Sequence, residues 1–139
     1  MTVASTGKIA LEPRAVLPMS IDAALDVTTA ALKDEGFGVL TKIDVQSTLK
    51  EKLGETFDPY LILGACSPAL AHRALTLNSD IGLLLPCNVT LHETRGETTV
   101  SIIDPNAMLA AAGGDEPVAE IARDASVRLK RVAEALASR

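Results

Sequence analysis

Two cysteines, two histidines and a few turn residues carry most of the chemistry open to this chain. Cys66 closes the apolar run YLILGAC and stands just before Ser67-Pro68, where a helix begins. A thiol there meets unpaired backbone N–H groups and the positive end of the helix dipole, both of which favour the thiolate. His72 follows in the second helical turn, about 6 Å along the axis from Pro68, and helical side chains lean toward the N-terminus. Its ring is therefore expected to reach the Cys66 sulfur. His72 also falls outside the apolar arc of Leu70, Ala71, Ala74 and Leu75, so the plainer alternative is a solvent-facing histidine beside an ordinary buried thiol.

Cys87 is in phase with Leu85, Val89 and Leu91, as a small core residue would be. Alternatively, Pro86 bends the strand and turns Cys87 and Asn88 toward a pocket shared with Cys66. Gly64 shares a strand face with Cys66 and lacks a side chain, which leaves room for a ligand or for close packing by a neighbouring strand. The candidate ligand-binding set is Gly64, Cys66, His72, Cys87 and Asn88. In an enzymatic version Cys66 is the nucleophile, His72 its base or cationic partner, and Cys87 a resolving thiol.

Cys66, His72, Cys87 and His92 make up a zinc-ligand count but not a zinc spacing. Cys87 and His92 are five residues apart, so a regular strand puts them on opposite faces, and neither a CxxC nor an HxxxH pair occurs. No metal is assigned, although Cys66, His72 and Cys87 without His92 leave a three-ligand site open, and the cofactor is unknown. Asp104 before Pro105 reads as a strand end accepting turn hydrogen bonds. Ser47-Thr48 and Ser79-Asp80 lack a nucleophile elbow, so serine hydrolysis has no support.

The elements that must position these residues follow from periodicity. Residues 8 to 18 read as a first strand, weakened by Pro13 and so placed at an edge. Ser20 caps a helix with Ile21, Ala24, Leu25, Thr28, Ala31 and Leu32 on one face, and Gly36 ends it. Phe37, Val39, Thr41 and Ile43 then alternate as a half-buried strand over 37 to 43. Asp44 caps a short helix, VQSTLKEKL, closed by Gly54. YLILGAC is apolar on both faces, as a central strand is, and residues 82 to 92 and 97 to 103 form a hairpin around Arg95-Gly96. Asp104 opens a short Ala-rich helix. The last helix carries Val118, Ile121, Ala122, Ala125, Leu129, Val132 and Leu136 as one stripe. These elements compose an α+β domain: a single, mainly antiparallel sheet of about five strands, covered on one face by helices, including a long C-terminal one.

Composition sets the outer bounds. At 139 residues and 47% hydrophobic, the chain is read as a single domain over 1 to 139, with residues 1 to 7 a flexible extension. Thirteen Lys and Arg against eighteen Asp and Glu leave a charge of −5, the wrong sign for tracking a phosphate backbone. Phe37, Phe57 and Tyr60 are the only aromatic residues, too few for a base-stacking platform, so no nucleic acid partner is expected. No signal peptide or membrane-length apolar run is evident, and two cysteines do not make a secreted disulfide framework. The expectation is a soluble, cytoplasmic protein without a membrane partner and with both thiols reduced.

Three motifs in order, GFGVLTKIDVQSTLKEKLG at 36 to 54, YLILGACSPALAHRAL at 60 to 75 and IGLLLPCNV at 81 to 89, resemble the domain-of-unknown-function family numbered 302. The likeness spans residues 20 to 136, including Ile103-Asp104-Pro105 and the last helix. Both family cysteines are kept at Cys66 and Cys87, while Ser67 stands where asparagine is commoner and still makes a good cap. The resemblance implies a TATA-binding-protein-like fold, a curved antiparallel sheet backed by helices in the order β-α-β(4)-α, usually as a homodimer, and no established activity. Fold likeness to a DNA binder does not transfer DNA binding. The functional expectation is a dimeric small-molecule-binding domain using a Cys/His/Asn-lined pocket. A thiol enzyme or sulfur carrier and a purely structural dimer are the alternatives.

Overall fold

The computed structural model describes residues 13 to 139. Five strands form one antiparallel sheet: β1 (Arg14–Leu17), β2 (Gly38–Asp44), β3 (Tyr60–Cys66), β4 (Cys87–Thr94) and β5 (Glu97–Ile102), in the spatial order β1-β5-β4-β3-β2. The helices are α1 (Ile21–Asp34), α2 (Val45–Leu53), α3 (Pro68–Leu77), α4 (Pro105–Ala112) and α5 (Glu116–Ala137), with a 3-10 segment at Ser79–Leu84. The α+β expectation holds, including the long final helix. No described helix is long and apolar enough to cross a membrane.

One sheet face is covered. Leu61, Leu63 and Ala65 of β3, Val89 and Leu91 of β4, and Val100 and Ile102 of β5 are all buried against α1, α3 and α5. All seven apolar residues of the α5 stripe are buried, as their spacing requires. On α1, Ser20 Oγ accepts from the Ala23 N–H at 3.3 Å, and a long-range partner, Glu93 Oε1, accepts from the Ile21 N–H at 2.6 Å. The β4–β5 hairpin has a two-residue turn with Arg95 at φ 55° and Gly96 at φ 79°, the paired positive values that match strand twist.

Three expectations about strands need correction. Residues 82 to 86 are not strand. The Asn78 side chain accepts from the Asp80 N–H at 3.0 Å to start the 3-10 segment, and Pro86 has no N–H to give a ladder, so β4 begins at Cys87. Beyond Val39, which packs against the core, strand β2 is exposed on both faces rather than half-buried, and its alternation is broken. Val39 pairs with Ala65 and Thr41 with Gly64, so Leu40 is an extra, bulged residue that moves Thr41 and Ile43 to the opposite face from Val39. The first strand is short and lies at an edge, β1 pairing with β5 over Arg14–Leu17, and Pro13 contributes only its carbonyl, which accepts from Ile102 N–H at 2.8 Å. The remainder of that expected strand, and the expected extension at 1 to 7, lie outside the described residues.

Candidate functional site

Strand β3 delivers Cys66 to the mouth of α3, and Pro86 delivers Cys87 to the first position of β4. The register sets Ala65 opposite Cys87, which makes the two cysteines neighbours on adjacent strands. Both line a cavity of about 70 Å³ where the end of the sheet meets α3, α4, α5 and the 3-10 segment. Leu70 and Ala74 of α3, Met108 and Leu109 of α4, and Ile121 and Ala125 of α5 supply the apolar walls. The cavity lies along a seam in the packing: Leu109, Val118 and Ala122 form a small apolar cluster separate from the main core.

Other members of the expected set lie elsewhere. His72 is exposed and lines a different groove, between α3 and α5, with Thr76 and Glu120. It does not line the cysteine cavity, contrary to the expectation that its ring reaches Cys66. Two positions along an α-helix is a rotation of about 200°, so with Leu70 buried, His72 is carried to the outer side. Gly64 pairs with Asn88 on one side and Thr41 on the other, and these three share the sheet face that the core helices leave uncovered. Asn88 is exposed there, its carbonyl accepting from Ile103 N–H at 3.1 Å. The space above Gly64 is taken by Thr41 and Pro86, which is the close-packing alternative and not room for a ligand.

The thiol electrostatics also differ from expectation. Burial pushes the Cys66 thiol above its ordinary value instead of lowering it. Cys66 precedes the cap, and the Ser67 hydroxyl, not the sulfur, accepts from the Leu70 N–H of the first turn. Cys87, 6% exposed, is pushed up to about 11 by burial first and by the nearby Cys66 second. Strand alternation sets Cys87 with Val89 and Leu91 on the covered face and Cys66 with Gly64 and Ile62 on the other. A resolving role for Cys87 would therefore need backbone movement to bring the sulfurs together. His92 faces away from Cys87, as its five-residue separation requires.

One cluster escaped the sequence reading. His92 Nε2 and Asp58 Oδ2 are 2.9 Å apart, and the His92 ring lies 5.1 Å from Tyr60 and 6.2 Å, nearly parallel, from Phe57. Tyr60 and His92 are direct cross-strand partners, so the only signal was a register that local sequence does not specify. Among the described residues no three His, Cys, Asp or Glu side chains gather as a metal site would require.

No functionally curated protein matches the chain. A crystal structure described as an uncharacterized conserved protein DUF302 from Bacillus stearothermophilus superposes with a TM-score of 0.83 at 29% identity, covering 92% of this chain and 99% of that one. The family model for the domain of unknown function DUF302 matches residues 14 to 136, nearly the whole described fold and both cysteine motifs. On that match the chain belongs to the DUF302 family.

Proposed function

We propose that this domain binds a small, largely apolar molecule in the cavity bordered by Cys66 and Cys87. The observation that carries the reading is the cavity itself, an apolar opening at the seam between two apolar clusters that Cys66 and Cys87 both border. Its present volume suits a few heavy atoms. A larger ligand would have to displace α4, which is held to α5 by the smaller cluster. Gly64, Asn88 and His72 support the fold around this site or act on other surfaces, and the Cys/His/Asn pocket contracts to an apolar one bordered by the two cysteines.

The thiol-enzyme alternative draws less support, since both thiols are pushed toward the protonated, weakly nucleophilic form. We read the protein as a single cytoplasmic domain, a reducing setting that suits two free thiols, and as a homodimer without nucleic acid or membrane partners. Binding is tested by methyl NMR during titration with xenon and with benzene. Shifts confined to Leu70, Leu109, Ile121 and neighbouring methyls, abolished by the cavity-filling Ala74→Leu, are expected. Unmoved cavity methyls with both probes would overturn the reading.

A further inference from the structure

We propose that the groove between α3 and α5 is a second binding site, one that takes a small zwitterion of the amino-acid class with an aliphatic side chain. The inference stands apart from the cysteine cavity and does not depend on it.

Helical spacing builds the two walls. Positions 72, 73, 76 and 77 of α3 fall within about 140° of one another around the axis, so His72, Arg73, Thr76 and Leu77 line one side together. Glu120 and Ile121 of α5 line the other, and the space between them is about 340 Å³. Small-molecule sites run from roughly 300 to 1,000 Å³, a range this groove reaches and the cysteine cavity does not.

The walls carry opposite charges that do not meet. Among the described residues neither Arg73 nor Glu120 has a hydrogen-bond or ion-pair partner. Both absences have local causes. No acidic residue occurs in α3, so its own helix offers Arg73 no carboxylate three or four positions away. On α5 the cation three positions beyond Glu120 is Arg123, and its Nη2 turns instead to Glu116 Oε1 at 2.7 Å. Arg128 and Arg131 are engaged by Asp124 and Glu35. Arg73 and Glu120 therefore keep their charges for an occupant of the space they both border.

The donors and acceptors define that occupant. The guanidinium fork of Arg73 matches a carboxylate, with the His72 ring on the same wall as a further N–H donor. Thr76 Oγ1 donates its proton to the His72 carbonyl at 2.7 Å, so what it offers the groove is lone pairs. With the Glu120 carboxylate, those lone pairs match an ammonium. Leu77, 54% exposed, and Ile121, at the base of the α5 wall, give an aliphatic side chain its contact. An anion alone would be opposed by Glu120 and a cation alone by Arg73, so a molecule carrying both charges is the complementary one. Because the groove is open to water, each charge contact is worth a few-fold in affinity, and binding in the millimolar range is expected.

The test is NMR titration of the full chain with L-leucine, with isocaproate, which lacks the ammonium, and with isoamylamine, which lacks the carboxylate. Leucine at up to about 20 mM is expected to shift the Arg73, Thr76 and Glu120 amides and the Leu77 methyls, and to bind severalfold more tightly than either analogue. The Leu109 methyls of the cysteine cavity should stay in place. Arg73→Gln is expected to weaken leucine and isocaproate about two- to fivefold and to leave isoamylamine unchanged, and Glu120→Gln to weaken leucine and isoamylamine but not isocaproate. Both residues are exposed, and circular dichroism melts establish that the variants are folded. Groove resonances that leucine does not move, or an affinity that neither variant changes, would overturn the site. An analogue that binds as tightly as leucine would overturn the zwitterion assignment. Shifts confined to Leu109 and its neighbours would put leucine in the cysteine cavity, supporting that reading and overturning this one.

Discussion

Gly64 lies so close beneath Pro86 that a Cβ on Gly64 would sit 2.7 Å from Pro86 Cγ, while the Thr41 hydroxyl overlaps the same position from the neighbouring strand. A residue singled out as room for a ligand is therefore the floor of a packed contact. Gly64→Ala should destabilise the protein by about 1–3 kcal/mol, the usual cost of overpacking. The same change in a Thr41→Ala background should cost less, because one of the two obstructing groups is gone. Urea unfolding of the four proteins in this cycle gives the comparison, and an equal cost in both backgrounds would contradict the packing argument.

Thr28 is fully buried in α1, and its hydroxyl has no hydrogen-bond partner among the described residues. A stranded polar group costs about 1–3 kcal/mol of desolvation, whereas a methyl of similar size fits an apolar site. Thr28→Val should therefore raise stability by about 1 kcal/mol and Tm by a few degrees. A lower Tm for the valine variant would mean that the hydroxyl has a partner in solution.

Stability should fall in alkali through Cys87. Its pKa in the folded protein, about 11, lies above the ordinary 9.0, so the folded state holds the proton that the unfolded state releases. The contribution is full below pH 9 and is lost as pH rises from 9 to 11, up to about 3 kcal/mol for two pKa units. Cys87→Val should lack that portion of the slope, with tyrosine and lysine titration common to both proteins. Parallel wild-type and variant curves of unfolding free energy against pH would refute the assignment.

Timed alkylation followed by mass spectrometry should label Cys66 well before Cys87. Partial exposure and alkaline ionisation separate them: Cys66 is half-buried with its thiol raised by burial, and Cys87 is both more buried and further raised. Both should react more slowly than a free thiol at neutral pH. His72→Ala should leave the Cys66 rate unchanged, because His72 lines the other groove. A severalfold slowing in that variant would restore the cysteine–histidine pairing.

The caps and stripes of this fold are legible in the chain because they depend on neighbours within a few residues. Ser20, Asp44, Ser67 and Asp104 each accept from a backbone N–H two or three positions on, Gly54 takes a left-handed cap, and the α5 stripe obeys the helical period wherever the helix packs. The Arg95-Gly96 turn is equally local. What depended on pairing between distant segments was not legible. The Leu40 bulge reverses the face of Thr41 and Ile43, the 3-10 segment replaces the start of an expected strand, and the Phe57, Tyr60 and His92 rings meet only through register. The candidate site divides in the same way. Cys66 and Cys87 could be named from their motifs, but only the folded arrangement decided that they border one apolar cavity, and that His72, Gly64 and Asn88 do not. Spacing along a chain specifies which residues share an element's face, whereas a site is formed by the order and register in which those faces are brought together.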